Sequence, residues 1–347
     1  MSPVSTGLIG FGLAGSAFHA PILDALSEFR VDAVVSSRHE AIATQLPQAA
    51  IVPQVDMLLN DTRIELVIIA TPDRTHAPLA QAALEAGKHV VVDKPFCLSS
   101  TDADALIELA TRKQRVLSIY QNRRWDGDFR TVQSLIKSGR MGQVSYFESH
   151  FDRFRPTPKN GWRERPDASE GVLFDLGAHL VDQALVLFGA PDTLIADITV
   201  QREKARVCDY LHMVLGYGKR RVVLHASTLA ARPGPRFLVH GDAASYVKFG
   251  MDPQEAALRA GSRPQQDPHW GEESPEAYGQ LHDGEGQVTS ITTQPGDYRG
   301  YYRALAGAIR QGAPVPVSAV QARNVIAVLE AARESARQGR RLTPTLV

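Results

Sequence analysis

With only two cysteines in 347 residues, Cys97 and Cys208, the chain has no means of building a disulfide framework or a four-thiolate metal site. Each cysteine reads instead as a small buried hydrophobe. Long apolar runs are missing too. No stretch nears the roughly 20 apolar residues that a membrane helix needs, and the N-terminal apolar residues are broken up by glycines. That pattern reads as a cytoplasmic protein with no membrane partner. Neither sign of charge is in excess, since Lys+Arg and Asp+Glu stand at 38 each, so no global field draws in nucleic acid. Also absent are an HExxH pair, a grouped Cys/His ligand set and a GxSxG elbow. Metal-assisted hydrolysis and serine-nucleophile chemistry are therefore poorly supported, and no metal is expected.

What is present is a length sufficient for two hydrophobic cores. The first part alternates short apolar strands with helical stretches, the pattern of a parallel sheet built from βαβ units. The strands are expected at Thr6–Gly10, Val31–Ser36, Ile64–Ala70, Lys88–Asp93 and Arg115–Tyr120, with helices at Leu79–Ala86 and Asp102–Thr111. After Tyr120 the texture changes. Gln143–Arg153 reads as a two-faced strand, with Tyr146, Glu148 and His150 on one side and Phe147, Ser149 and Phe151 on the other. Further strands are expected at Thr193–Gln201, Val207–Tyr217, Arg221–Thr228, Arg236–His240 and Ser245–Phe249, close enough together for a largely antiparallel sheet. One long helix is expected at Leu173–Phe188, closing helices at Tyr301–Gln311 and Ala319–Gln338, and over Met251–Gly300 a long loop excursion, with a mobile lid as the alternative. The fold class is thus α/β: a doubly wound parallel sheet over residues 1–122, then an α+β domain over residues 123–347 with a large open, mainly antiparallel sheet.

Gly10-Phe11-Gly12-Leu13-Ala14-Gly15 matches G-x-G-x-x-G between a strand and a helix. In a dinucleotide-binding Rossmann unit the first glycine permits the tight turn, the second lets backbone approach a pyrophosphate, and the third lets helix pack on strand. The following helix N-terminus offers free N–H groups. An NAD site usually carries an acid at the tip of the second strand. Here the chain reads Ser36-Ser37-Arg38, two hydroxyls and a guanidinium suited to a 2′-phosphate. NADP is therefore the expected cofactor, with NAD as the alternative.

Asp93-Lys94-Pro95 closes a strand at the carboxyl edge of the sheet, where ligands bind in this architecture. The lysine precedes proline and is biased to extended backbone. Asp175 and His179 lie four apart on the expected Leu173–Phe188 helix, sharing one face amid apolar residues. Alcohol oxidation needs a hydride removed from carbon and a proton removed from the hydroxyl. An imidazole, with an ordinary pKa of about 6.5, suits the proton transfer. Lys94 would stabilise alkoxide charge and Asp175 would orient the hydroxyl or the imidazole. A helix-surface Asp–His pair is the plainer reading of the same two residues.

Together these residues resemble the Gfo/Idh/MocA family of oxidoreductases along essentially the whole chain. The resemblance rests on the glycine fingerprint, on Thr71-Pro72-Asp73-Arg74-Thr75-His76, on Asp93-Lys94-Pro95 and on Asp175 with His179. The blocks Asn122-Arg123-Arg124-Trp125-Asp126 and Phe147–Arg155 look most like the branch containing NADP-dependent scyllo-inositol dehydrogenases. The resemblance implies a catalytic trio of Lys94, Asp175 and His179. It puts Thr71, Pro72, His76, Asp93 and Asn122 beside the cofactor, and Arg123, Arg124, Asp152, Arg153 and Trp162 near a polyol or sugar substrate. Salt bridging and ordinary packing are the other reading of this last group. It further implies a homodimer or homotetramer. One departure is Asp93 where the family usually has Glu. The resemblance also leaves open a nicotinamide-dependent glycosidase, or a non-enzymatic dinucleotide-binding regulator, on the same fold.

Overall fold

A computed structural model describes residues 2–166 and 168–347. The chain divides into two compact units. The first comprises residues 1–122, 254–270 and 297–323; the second comprises 123–253, 271–296 and 324–347. The segments 254–270 and 297–323, which a single cut after residue 122 assigns to the second domain, thus belong with the first.

In the first unit the strands are β1 (Val4–Ile9), β2 (Phe29–Val35), β3 (Ala50–Val52), β4 (Leu66–Ile69), β5 (His89–Asp93) and β6 (Leu117–Tyr120). All pair in parallel, in the order β3-β2-β1-β4-β5-β6. Order reverses between β1 and β4, the switch point at which such sheets bind ligands. Burial on both faces explains the unbroken apolar runs: every residue of β1 and β4 is buried. The strands expected from sequence all form, with ends within two residues of expectation. β3 is additional; it is a short, half-exposed edge strand with little apolar pattern to reveal it. The helix expected at Leu79–Ala86 runs His76–Glu85, and the one at Asp102–Thr111 runs Ser100–Lys113. Ser99 caps the latter by accepting from the Asp102 backbone N–H at 3.2 Å.

A helix over Arg299–Gln311 completes this unit. Its buried face presents Tyr301 and Tyr302 beside Tyr120, and the Tyr301 hydroxyl donates to Ser118 at 2.8 Å. It ends where Gly312 adopts φ 67°, the left-handed turn that favours glycine.

The second unit holds an eight-stranded sheet: β7 (Val144–Asp152), β8 (Thr193–Thr199), β9 (Tyr210–Tyr217), β10 (Arg220–Ser227), β11 (Phe237–Gly241), β12 (Ala244–Lys248), β13 (Gly279–Asp283) and β14 (Val288–Ile291). Their order is β14-β13-β12-β11-β7-β10-β9-β8, and every pairing is antiparallel except β7 with β10. β7 alternates as expected: Phe147, Ser149 and Phe151 are buried while Tyr146, Glu148 and His150 are half-buried.

Two expectations are corrected here. Met251–Gly300 is not one long loop, because it contains a helix over Gln254–Arg259 and the hairpin β13–β14. In β14 three of four residues are exposed, so no apolar alternation marks it. The hairpin is held by Asp283, whose carboxylate accepts from the Glu285 and Gln287 backbone N–H groups at 2.9 Å each. Likewise, Leu173–Phe188 is not one helix. It is Val172–Asp175 followed by Gly177–Phe188, broken at Leu176. At Gly177, just after the break, a Cβ would lie 3.1 Å from Leu211 and from Leu329, a tight approach.

Candidate active site

In the first unit the glycine turn caps β1. The Gly10 N–H donates to Val35 at 2.9 Å, and Gly10 adopts φ 97° with a would-be Cβ 2.4 Å from the Ala70 carbonyl oxygen. Only glycine fits there. A Cβ on Gly15 would meet the Gly10 carbonyl oxygen at 2.2 Å, so the third glycine permits helix-to-strand contact. A Cβ on Gly12 would meet nothing within 4 Å. The middle glycine therefore borders open space, where a pyrophosphate can reach the backbone. Phe11 is buried, Leu13 is exposed and Ala14 opens the next helical segment. That segment, Ala14–His19, is a π-helix that passes into an α-helix at Ala20, a wider first turn than the α-helix expected.

Ser36, Ser37 and Arg38 follow β2 directly, and the Ser36 hydroxyl accepts from the Arg38 backbone N–H at 3.3 Å. Ser37 and Arg38 are exposed. The donor set at this tip is two hydroxyls and one guanidinium, with no carboxylate in the run. These features fit a dinucleotide.

The loops after β4 and β5 are tied together by His76, which is 1% exposed. Its Nε2 lies 2.9 Å from the Thr71 carbonyl oxygen and its Nδ1 2.7 Å from that of Pro95. His76 thus holds the Thr71-Pro72 and Lys94-Pro95 loops from inside. The Lys94–Pro95 peptide is cis, a detail that the sequence left open. Asp93 Oδ1 accepts from the Lys94 backbone N–H at 2.9 Å, so the shorter carboxylate anchors the lysine's own backbone. Lys94 is half-buried, as is Asn122 just beyond β6.

Sequence reasoning missed His19. It is fully buried, its Nδ1 is 2.6 Å from the Tyr302 hydroxyl, and its Nε2 is 3.9 Å from Asp93. Burial pushes its pKa down to about 4, against the opposing pull of Asp93. No periodicity marks such a histidine, because its partners come from β5 and from a helix nearly 300 residues later.

In the second unit Asp175 ends the short Val172–Asp175 helix between two guanidiniums, 3.6 Å from Arg153 and 3.8 Å from Arg163. Arg163 also covers the Trp162 ring at 4.3 Å. His179, 5% exposed, lies in the first turn of the next helix, its ring centroid 6.0 Å from that of Phe151. Arg153, Arg163 and, through Arg163, Trp162 thus gather around Asp175, while His179 makes its ring contact with Phe151. Because the helix breaks between Asp175 and His179, their four-residue spacing does not by itself set how they face.

The other expected substrate neighbours are placed differently. Arg124 makes a bidentate pair with buried Asp182, at 2.7 and 2.8 Å. Arg123 is buried, pairs with Asp126 at 3.2 Å and stacks over Phe151 at 4.9 Å. Asp152 points to the opposite face of β7 from Phe151, toward His150 and His225. Nearby Arg236, 2% exposed, donates to Ser149 at 2.5 Å and to Gln183 at 2.7 Å, with Phe151 at 4.2 Å. The sequence marked Arg236 only as the start of a strand. Lys94 belongs to the first unit and the Asp175–His179 group to the second.

Among the described residues no helix is long and apolar enough to cross a membrane. Residues 4–121 match the family model described as "Oxidoreductase family, NAD-binding Rossmann fold", and residues 133–343 match "Oxidoreductase family, C-terminal alpha/beta domain". The chain is 40% identical to the Bacillus subtilis protein named scyllo-inositol 2-dehydrogenase (NADP(+)) IolW, over 97% of this chain and 95% of that one. It is 44% identical to the uncharacterized oxidoreductase YdgJ of Escherichia coli, over 96% of each. A crystal structure of an oxidoreductase from Bacillus cereus superposes with a TM-score of 0.90 at 34% identity, covering 99% of both chains. The glycine turn at the switch point, the two sheets and this end-to-end similarity agree, and the chain belongs to the Gfo/Idh/MocA family of oxidoreductases.

Proposed function

We propose that the protein is an NADP(H)-dependent dehydrogenase that interconverts a secondary alcohol and a ketone on a cyclitol or sugar resembling scyllo-inositol. The observation that carries this reading is full-length similarity to a relative named for that reaction, with Lys94, Asp175 and His179 all present. The carboxylate-free Ser36-Ser37-Arg38 tip supports the 2′-phosphate. Gly10, Gly12 and Gly15 would hold the pyrophosphate, and the Thr71-Pro72 loop would flank the nicotinamide.

When bound, the nicotinamide supplies the hydride acceptor or donor. His179 takes the hydroxyl proton in the oxidising direction and returns it in the other. The Lys94 ammonium would stabilise developing alkoxide charge. Arg153 and Arg163 hold Asp175 from two sides, which fixes the carboxylate that orients the reacting group.

Initial rates on scyllo-inositol and a panel of inositols and aldoses, with NADP+ and NAD+ in parallel, test the proposal. Turnover that prefers NADP+ is expected, and it should fall by about a hundredfold or more in Lys94→Ala and His179→Ala. Near-wild-type rates in both variants would overturn the assigned roles. Preference for NAD+ would overturn the reading of the β2 tip.

A further inference from the structure

On the face of the second sheet opposite Phe151, three potential metal donors converge. His225 of β10 is the register partner of His150 on β7, and Asp152 follows His150 by two positions. The period of two therefore puts all three on one face of two directly paired strands. Asp152 Oδ2 lies 3.0 Å from His150 Nδ1, and Asp152 Oδ1 lies 3.5 Å from His225 Nε2. All three donor atoms fall within 4.8 Å of one another. A tetrahedral Zn2+ bound at its usual distances separates its ligand atoms by roughly 3.3–3.5 Å. The Asp152 carboxylate comes that close to each imidazole, through Oδ2 to His150 and through Oδ1 to His225.

Glu148 supplies a second, independent feature. Its Oε1 lies 2.5 Å from His150 Nε2. A carboxylate there accepts the Nε2 N–H, so only Nδ1 is left to face Asp152, across either a second proton or a metal cation. Two acceptors 3.0 Å apart repel unless a proton or a metal cation lies between them. A histidine that donates its far N–H to a carboxylate is also the usual outer support of a metal-ligating imidazole.

Asp152 adds a third. Its side chain is only 4% exposed, and its Oδ1 accepts no hydrogen bond among the described residues. His225 Nε2 stands 3.5 Å from it, longer than a well-made hydrogen bond, so this buried oxygen is poorly satisfied. Oδ2, by contrast, takes the Gly234 N–H at 2.8 Å, which fixes the carboxylate plane. A cavity of about 400 Å3 lies alongside, lined by His150, Asp152, Gly234 and Arg232 among others. It has room for water or a small anionic group to complete a coordination shell.

We propose that His150, Asp152 and His225 form a binding site for a divalent transition metal of the Zn2+ class, with Glu148 as the residue that positions His150. Two imidazoles and one carboxylate are a donor set suited to Zn2+ and its Co2+ substitute. The site is distinct from Lys94, Asp175 and His179 and does not depend on the hydride reaction.

The test is titration of the EDTA-dialysed full-length protein with Co2+, read by its visible d–d absorption, and then Zn2+ displacement of those bands. Saturable binding at one site per chain is expected. His225→Gln and His150→Gln should each weaken it at least about tenfold, and Glu148→Gln by a smaller factor. His212→Gln, whose ring lies 5.7 Å from His225, and His179→Gln should both leave the bands unchanged. Absence of saturable binding in the wild-type protein would overturn the proposal and leave a proton-held ion pair as the function of the cluster. Bands lost in His179→Gln but kept in His225→Gln would overturn it as well. If a cluster variant folds poorly, Zn2+ must still raise the melting temperature of the wild-type protein; no such rise counts against the site.

Discussion

His76 and Pro95 face each other across the first unit, the imidazole Nδ1 2.7 Å from the Pro95 carbonyl oxygen. The other ring nitrogen reaches the Thr71 carbonyl at 2.9 Å. One buried side chain thus sets the spacing between the loop that carries Lys94 and the loop that would flank a nicotinamide. His76→Ala leaves two carbonyls without this partner and should destabilise the protein by about 1–3 kcal/mol. It should also lower kcat, because Lys94 loses its placement. Glutamine, which can still donate, should recover part of both. Equal kcat in wild type and His76→Ala would show that the loops hold their positions unaided.

The roles of the middle and third glycines of the turn should separate experimentally. Gly12 borders open space, so Gly12→Ala should keep the melting temperature while weakening dinucleotide binding, read by NADPH fluorescence titration. In Gly15→Ala the new Cβ meets the Gly10 carbonyl at 2.2 Å, so stability itself should fall, by about 1–3 kcal/mol. Similar melting temperatures for the two variants would contradict this assignment.

Arg38 provides the cofactor test. Its exposed guanidinium is the one cation in Ser36-Ser37-Arg38. Arg38→Ala should reduce kcat/KM for NADP+ by about ten- to a hundredfold, the worth of a charge-assisted contact, with little effect on NAD+. A parallel loss with both cofactors would mean that Arg38 does not read the 2′-phosphate.

His19 makes stability depend on pH. Its pKa is about 4 in the folded protein against 6.5 in an unfolded chain, so between these values the unfolded state binds more protons. The contribution is therefore fully present above pH 6.5 and is lost as pH falls toward 4; it is on the order of 3 kcal/mol. His19→Gln should flatten the melting temperature across that window. If variant and wild type lose stability in parallel, other groups govern the acid limb.

Much of this was legible in the sequence because it depends on local chemistry. The parallel strands announce themselves as Leu66–Ile69 and Val90–Val92, apolar throughout because both faces are buried. The glycine turn is a local constraint, and Asp93-Lys94-Pro95 lies at the expected strand end. What escaped depends on partners distant in the chain. The break at Leu176 coincides with a close approach of Gly177 to Leu211 and Leu329, which no local pattern signals. β14 is an exposed edge strand and carries no apolar signature. The resemblance groups Asp152 with Arg153 near the substrate, yet the alternation of β7 carries Asp152 to the face of His150 and His225. The pairing of His150 with His225 needs the β7–β10 register, which the sequence does not state.

That alternation makes β7 a single reading frame shared by two chemistries. Phe151 faces His179, while His150 and Asp152 face His225. Inserting or deleting one residue within Val144–Asp152 would transpose both sets at once, sending imidazole and carboxylate inward and aromatic rings outward. Neither face can drift in register independently of the other, so the length of this strand should be harder to change than the identity of any residue on it.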